Sequence, residues 1–298
     1  MEKGEAMEYV IENERLRVTL TRWGAQIKSV IHKADQVEHM WQADPDVWKF
    51  HSPILFPYTG RIKDGQIKIR GRNVENAPIH GLVRTLMYVV VQHTAHSVTF
   101  AAKACEETLT FFPYHFRLLV TFRLEGEWLH QTLTIENTDI ECFSFGMGFH
   151  PGFVIPFDSN HTALDYEIRF SDIESPRCLE TPGGLVNGHD YLLGQNLHTL
   201  PITDSMFNAG SHCMVGLNSS TVGIYEKGSG RAVLCEVKDH PYCLLWSQPG
   251  VPRFVCIEPW HSLPDRVDTD HDWNGKTAAA VLQPGMSWDV TMKLAFVR

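Results

Sequence analysis

One carboxylate in this sequence stands within an apolar, strand-like run, Phe254–Trp260. With the two-residue period of a strand, Glu258 shares its face with Cys256 and Trp260, so its neighbours on that face carry no charge. Desolvation there favours the neutral acid and raises the carboxyl pKa toward neutrality, as a general base working near pH 7 requires. A structural glutamate buried against an arginine fits the heptapeptide equally well. Pro259 lacks a backbone donor and is predicted to end the strand pairing.

A histidine ends a second apolar strand and is followed at once by a Pro-Gly turn. His150 therefore lies where binding groups are often found, at a strand end beside a turn. Taken alone, such a histidine is more often a structural hydrogen-bonding group than a catalyst. Considered together with Glu258, it offers a second proton-transfer group to the same chemistry.

Two further polar residues lie in positions that could bind a ligand. Arg61 follows an apolar segment bracketed by prolines and enters a loop directly after Gly60. It is either a surface charge or a fork of donors for hydroxyl groups, held in place by that glycine. His80 precedes Gly81, which allows the backbone beside the histidine to approach another part of the chain closely.

The composition limits the classes of partner. The chain has 298 residues, of which 43% are hydrophobic, and this is enough for one large β domain or two ordinary ones. A formal net charge of -9 argues against nucleic acid and anionic membranes as partners, so small soluble molecules remain. The segment Met1 to Arg17 is charged and lacks a signal-peptide core, and no later apolar run approaches the roughly 20 residues that span a bilayer. A cytoplasmic location is predicted.

Cysteines and common motifs exclude several kinds of site. The seven cysteines are odd in number, show no C-x-x-C pair and are predicted to be reduced, buried thiols. The acidic run 268–272 resembles a calcium loop, but Trp273 replaces the glycine that such a loop needs, so no metal site is predicted. No G-x-S-x-G elbow, P-loop or dinucleotide-binding motif occurs.

The elements that position these residues are predicted to be strands. Well over a dozen short alternating segments follow one another at regular spacing, and helical periodicity is almost absent. The stretch Trp41–Phe50 is read as a short helix, and residues 162–204, which are rich in Pro and Gly, as a looser region. The pattern predicts an all-β sandwich. Because no shift in composition divides the chain, residues 1–298 are predicted to form a single domain.

Together the four candidate positions resemble the aldose 1-epimerase (galactose mutarotase-like) superfamily, and in particular its bacterial mutarotase-related branch. Arg61 follows Phe-Pro-x-x-Gly, His80 precedes Gly, His150 precedes Pro-x-Phe, and Glu258 lies in Cys-Ile-Glu-Pro-Trp, in that family's order. The resemblance covers nearly the whole chain, to the Pro-Gly turn before the last strand. It implies an all-β fold, a large antiparallel β supersandwich.

The resemblance also implies roles. Glu258 would be the base that takes the proton of the anomeric hydroxyl, and His150 the acid that protonates the ring oxygen, with no metal and no cofactor. Arg61 and His80 would hold sugar hydroxyls. Trp246 or Trp260 could form an apolar wall for the sugar, although packing in the core is the more common use of tryptophan.

One position departs from the family. Related sequences often carry an acidic residue in a Phe-x-x-Asp-Ala stretch, whereas this chain has Phe-Asn-Ala-Gly-Ser with Gly210 in the acidic position. Asp204, Asn208 or His212 are candidates to compensate.

Three functions are therefore considered. The first is interconversion of the anomers of a free aldohexose, galactose or glucose by default. The second is the same reaction on a hexose 6-phosphate, for which Arg84, Arg177 and Arg266 are available cations. The third is a sugar-binding protein without catalysis, although retention of both an acid and a base argues against it. The partner is a small-molecule sugar in each case, and a monomer or homodimer is expected.

Overall fold

The computed structural model describes residues 7–298, which form 25 strands and little helix. Residues 1–6, part of the segment on which the signal-peptide prediction rests, lie outside the described residues. The strands β1 to β25, in chain order, are Glu8–Glu12, Leu16–Thr21, Gln26–His32, Val37–Glu38, Ile54–Leu55, Ile67–Ile69, Arg72–Val74, Val89–His93, Ser97–Lys103, Phe116–Glu125, Trp128–Asn137, Phe143–Phe145, Gly148–Phe149, Gly152–Val154, Tyr166–Glu174, Arg177–Leu179, Asp190–Leu192, Leu197–Pro201, His212–Val215, Thr221–Glu226, Ala232–Glu236, Tyr242–Trp246, Phe254–Trp260, Ala280–Leu282 and Ser287–Val297. The helix α1 is Glu106–Phe111, and single 3-10 turns are Lys63–Gly65, Val83–Thr85, Ala163–Asp165, Pro182–Gly184 and Trp273–Gly275.

Two large antiparallel sheets dominate the structure. A nine-stranded sheet has the order β18-β15-β20-β21-β25-β11-β10-β9-β8, and an eight-stranded sheet has the order β17-β16-β19-β22-β23-β13-β5 with β14 also paired to β23. The first four strands, β1 to β4, form a meander, and two further two-stranded sheets are the hairpin β6-β7 and the long-range pair β12-β24. The all-β prediction of a large antiparallel sandwich is confirmed.

Alternation along each strand sets which side chains enter the main core. In β10 every second residue is buried, and Leu118, Val120 and Phe122 contribute to one large apolar cluster. The eight-stranded sheet contributes Val255 and Ile257 of β23 to the same cluster. Burial of such side chains, at about 1.5–3 kcal/mol each, is the main term that holds the two sheets together.

Several local predictions were wrong. Trp41–Phe50 forms a turn within an extended loop and not a helix, because Pro45 and the alternating acidic residues offer no helical apolar face. Residues 162–204 contain β15 to β18, so this region is more ordered than its Pro and Gly content indicates. All seven cysteines are free as predicted, but Cys105 and Cys142 are exposed since both lie in loops. Among residues 7–298 no helix has the length and apolar character needed to cross a membrane.

Candidate active site

Strand β23 places Glu258 on the face of the eight-stranded sheet that points away from the main core. The alternation predicted from the sequence holds: Val255 and Ile257 enter the main core, while Cys256 and Trp260 join smaller clusters on the opposite face. Glu258 lies on that second face and is 1% exposed. The prediction that Pro259 ends the pairing was wrong, because β23 remains paired with β22 through Trp260.

The strand register brings His150 opposite Glu258. Strand β13 pairs Gly148 with Trp260, and β14 pairs Gly152 with Cys256. Both pairings belong to one antiparallel register, in which the unpaired residue between them, His150, faces Glu258. Residues opposite each other in such a register have Cβ atoms about 4.5–5.5 Å apart. The predicted proximity is confirmed, since His150 Nε2 lies 3.3 Å from Glu258 Oε2.

The break between β13 and β14 also explains why Pro259 is tolerated within a buried strand. Between their two pairings with β13 and β14, the central residues of β23 have no ladder partner on that side. A missing backbone donor costs little where no acceptor stands opposite it. His150 lies in this same gap, between the paired residues Gly148 and Gly152.

Burial shifts the pKa values of the two groups in opposite directions. Desolvation raises the pKa of Glu258 well above its usual value of 4.5, and the indole of Trp260 opposes this rise in smaller measure. Desolvation, with a smaller contribution from the positive charge of Arg84, lowers the pKa of His150 to about 3. Among the described residues Glu258 has no arginine or lysine within ion-pair distance, so the alternative of a structural glutamate buried against an arginine is not observed. These shifts favour a protonated Glu258 and a neutral His150, and their 3.3 Å contact is not a hydrogen bond, because Glu258 Oε2 has no hydrogen-bond partner among the described residues.

His80 is held close to this pair by an unusual backbone conformation. Its φ is 66°, and that of Gly81 is 72°. A Cβ added to Gly81 would lie 2.0 Å from the carbonyl oxygen of Phe56, which confirms the predicted close backbone approach. The backbone N–H of Gly60 donates to His80 Nδ1 over 3.0 Å, so the Nε2 atom must carry the proton of a neutral ring. The ring centroid of His80 lies 5.4 Å from that of His150.

Arg61 is exposed and extends over Gly184. A Cβ on Gly184 would lie 3.2 Å from Arg61 Nε, so the glycine leaves room for the guanidinium group to lie along the loop. A Cβ on Gly60 would lie 2.3 Å from Pro264 Cγ, so the chain packs tightly on Pro264 just before Arg61. That Gly60 holds the guanidinium group in place stays a prediction.

Two tryptophans contact the His150 ring, and a third packs nearby in the same pocket. Trp48 stacks on His150 with centroids 4.9 Å apart and planes at 28°, and Trp246 meets it edge-on at 5.4 Å. Trp260 is 2% exposed and packs closely on Gly148, where a Cβ would lie 2.5 Å from its ring. The sequence analysis did not single out Trp48, although two tryptophans within eight residues of an otherwise polar loop were the available signal.

These residues line one pocket of about 720 Å³, which is large enough for a monosaccharide. All six candidate site residues contribute to it: Arg61, His80, His150, Trp246, Glu258 and Trp260. Residues not predicted as site residues also line it, and they include Lys49, Arg84, Ser211 and Gln248. Glu258 is the one carboxylate among the lining residues of the described chain.

None of the three residues expected to compensate for Gly210 does so. Gly210 lines the pocket, but the side chain of Asn208 accepts a hydrogen bond from the Gly250 backbone instead of facing the pocket. His212 is engaged by Tyr191 and by the carbonyl oxygen of Met206. Asp204 is exposed and does not line the pocket. Ser211 is the residue of this loop with a polar side chain that lines the pocket.

The buried pair also forms part of a possible metal-binding group. His150, Cys256 and Glu258 each offer one donor atom, and these atoms lie within 4.8 Å of one another. Imidazole, thiolate and carboxylate are the donors that zinc accepts. In the protonation state described above none of the three is charged, so an ion would have to displace protons from buried groups before it could bind.

A large antiparallel sandwich with a buried His–Glu pair in a monosaccharide-sized pocket on one sheet matches the class of galactose mutarotase-like proteins. The sequence model of the aldose 1-epimerase family matches residues 7–295, and the chain belongs to that family. A galactose mutarotase related enzyme from Lactobacillus acidophilus is 28% identical, with 97% of each chain covered and a TM-score of 0.91. A galactose mutarotase-like protein from Lactobacillus casei is 25% identical, with 97% of this chain and 99% of that chain covered and a TM-score of 0.90. The chromosomal LacX protein of Lactococcus lactis is 27% identical over 297 residues, with 95% of this chain and 98% of LacX covered.

Proposed function

We propose that the protein interconverts the α and β anomers of an aldohexose, galactose or glucose by default. The observation that carries this proposal is the buried pair of His150 and Glu258, 3.3 Å apart at the floor of the pocket with no cation to fix their charges. A neutral hemiacetal opens when one proton is removed and another is delivered. A pair that holds a single movable proton is suited to both steps.

In the proposed reaction the carboxylate of Glu258 takes the proton of the anomeric hydroxyl, and protonated His150 gives its proton to the ring oxygen. The C1–O5 bond breaks as the C1–O1 double bond forms, which gives the free aldehyde. Rotation about C1–C2 presents the other face of the aldehyde, and the same two protons return as the ring closes. The pKa shifts place the movable proton on Glu258 before sugar binds. Sugar binding must therefore move it to His150 before the ring opens.

The remaining residues orient the sugar. The guanidinium group of Arg61 and the free Nε2–H of His80 are donors for ring hydroxyls, and Ser211 offers a further hydroxyl. Trp246 and Trp260 provide apolar surface for the C–H face of the ring. This arrangement leaves the C1 and O5 side of the sugar to the His150 and Glu258 pair.

The test is proton NMR of freshly dissolved α-anomers of galactose and glucose, with the approach to the α/β equilibrium followed over time. The protein should accelerate exchange over buffer, and Glu258→Gln should lower kcat/KM by about 10²–10⁴-fold. Glu125→Gln is the matched control, because Glu125 ends β10 with an exposed side chain outside the pocket. No acceleration of any aldose would contradict the proposal, and sugar binding that survives in Glu258→Gln would then indicate a binding protein.

A further inference from the structure

The pocket has an excess of positively charged side chains, which a neutral sugar would leave without a negatively charged partner. Lys49, Arg61 and Arg84 line it, whereas Glu258 is the only lining carboxylate in the described chain and burial keeps it protonated. None of the three cations has a carboxylate within 4 Å among residues 7–298. The protein as a whole carries a formal net charge of -9, so this local excess of positive charge runs against the overall balance.

The other two arginines considered for a phosphate, Arg177 and Arg266, each lie beside a carboxylate. Arg177 lies 3.7 Å from a carboxylate oxygen of Asp190, and Arg266 lies 2.8 Å from one of Asp268. Neither of them lines the pocket, so of the three cations considered for a phosphate from the sequence only Arg84 is in place. Lys49 and Arg61 join it there.

Arg84 and Lys49 are placed on one wall. The guanidinium carbon of Arg84 lies 4.8 Å from the ring centroid of Phe50, and Lys49 Nζ lies 5.7 Å from the same centroid. Phe50 is 4% exposed and stacks on Trp23, so the ring is a fixed platform for both charges. Arg84 is half-buried, and desolvation lowers its pKa, which means that its charge lacks compensation in the empty pocket.

We propose that the sugar taken by this pocket carries a phosphate monoester on a carbon remote from the anomeric centre, and that Arg84 and Lys49 receive its charge. This rests on the anomer exchange proposed above and specifies its substrate class. A phosphate ester carries about 1.5 to 2 negative charges near pH 7 and several acceptor oxygens, which matches two or three uncompensated donors better than a single carboxylate does.

The same charges connect binding with proton transfer. The positive charge of Arg84 lowers the pKa of both His80 and His150. A phosphate seated on Arg84 would cancel this effect and favour the protonated form of His150 that ring opening requires. A phosphorylated sugar should therefore improve kcat as well as KM.

The first experiment compares galactose with galactose 6-phosphate and glucose with glucose 6-phosphate by NMR exchange of their anomers. At least one phosphate should show a kcat/KM about tenfold or more above that of its parent sugar, and the advantage should shrink in high salt. Equal or faster turnover of the neutral sugars would overturn the inference and leave the proposed function intact. Faster turnover of galacturonate than of either phosphate would overturn the phosphate assignment.

Variants of the pocket cations then test which side chains bind the phosphate. Arg84→Gln should reduce the ratio of phosphorylated to neutral kcat/KM by about tenfold, and Lys49→Gln, an exposed substitution that leaves the fold unaffected, should reduce it by about threefold. Arg177→Gln is the control and should leave the ratio unchanged. A ratio that is unaltered in both pocket variants would overturn the assignment.

A binding measurement separates the two proposals. If no sugar is turned over, the proposed function fails, and calorimetric titration of the protein with galactose 6-phosphate and with galactose still tests the inference. Tighter, salt-sensitive binding of the phosphate that weakens in Arg84→Gln would support a phosphate pocket. Equal binding of the two sugars, or no binding of either, would overturn it.

Discussion

Two clusters in this protein each contain a histidine and a buried glutamate, and they behave in opposite ways. One is the pocket group of His150, Cys256 and Glu258, and the other consists of Asp158, His161 and Glu226. Each places a histidine and a nearly inaccessible glutamate within a few ångströms. The difference is Arg231, which lies in the second cluster and has no counterpart in the first.

In the second cluster the charges are fixed. Arg231 Nη2 lies 2.6 Å from Glu226 Oε2 and also pairs with Asp158. Burial would raise the pKa of Glu226, but hydrogen bonds from Tyr166 and Arg231 outweigh it and lower the pKa. The hydrogen bond with Asp158 raises the pKa of His161. These shifts favour the charged form of each group, in contrast to the pocket pair.

In the pocket the same pair is left without a counterion. The pKa of Glu258 is raised and that of His150 is lowered, so the neutral forms of both groups are favoured. The comparison indicates that a buried His–Glu pair is suited to proton transfer when no arginine or lysine lies within ion-pair distance of the glutamate. It also separates a structural ion cluster from a candidate catalytic one without reference to sequence motifs.

The largest effect on stability is expected from removing Arg231. In Arg231→Met two carboxylates lose their cation, one of them nearly fully buried, and the free energy of unfolding should fall by about 2–3 kcal/mol. Urea denaturation at pH 7 measures this. Arg266→Met, which breaks an exposed pair with Asp268, should cost less than about 1 kcal/mol and serves as the control. Equal losses in the two variants would remove the distinction between the clusters.

A second prediction concerns the pH dependence of Glu258→Gln. Because the folded pKa of Glu258 is raised, the parent loses stability as pH rises from the unfolded carboxyl pKa toward the folded one, by up to about 1.4 kcal/mol per pH unit. The variant lacks this loss, so it should match the parent near pH 4 and exceed it by about 1 kcal/mol or more at pH 7. Denaturation midpoints at several pH values measure the gain.

Glu226→Gln provides the opposite case. The folded pKa of Glu226 is lowered, so the carboxylate stabilises the protein above its unfolded pKa, and the contribution is lost as pH falls through the folded value. This variant should be less stable than the parent at pH 7, and the difference should vanish in acid. A gain of stability at pH 7 in Glu226→Gln, or a loss in Glu258→Gln, would break the comparison.

The sequence was sufficient to predict local features of the site, but not those that depend on contacts between distant parts of the chain. The alternation in Phe254–Trp260 predicted which face Glu258 occupies, because strand periodicity is a local property. It could not predict that His150 falls opposite Glu258, since the register depends on two short strands, β13 and β14, that are separated from β23 by about a hundred residues of chain. The absence of an arginine beside Glu258 is likewise a property of packing, and the heptapeptide alone left both readings open.

Loops were predicted least well for the same reason. Trp48 was missed because a loop has no periodicity that assigns a face to each side chain, although its ring stacks on His150. Gly210 was recognised as a departure from the family, but the residues expected to replace its missing carboxylate are engaged elsewhere. Chain order from the family resemblance located the candidate residues, and the structure supplied their mutual geometry.

The smallest predicted effect sharpens the role of the aromatic wall. Trp48 stacks on His150 at 4.9 Å and on Phe254 at 5.3 Å, so it fixes the plane of the imidazole without touching Glu258. Trp48→Leu should lower kcat/KM by about three- to tenfold, the equivalent of an aromatic contact of 0.5–1.5 kcal/mol. Because the ring orients a proton donor, the loss should fall mainly on kcat and should change the pKa of His150 measured by NMR. Trp128→Leu, in the nine-stranded sheet, is the control. A loss confined to KM would instead make Trp48 a surface for the sugar, and the His150 orientation would then depend on register alone.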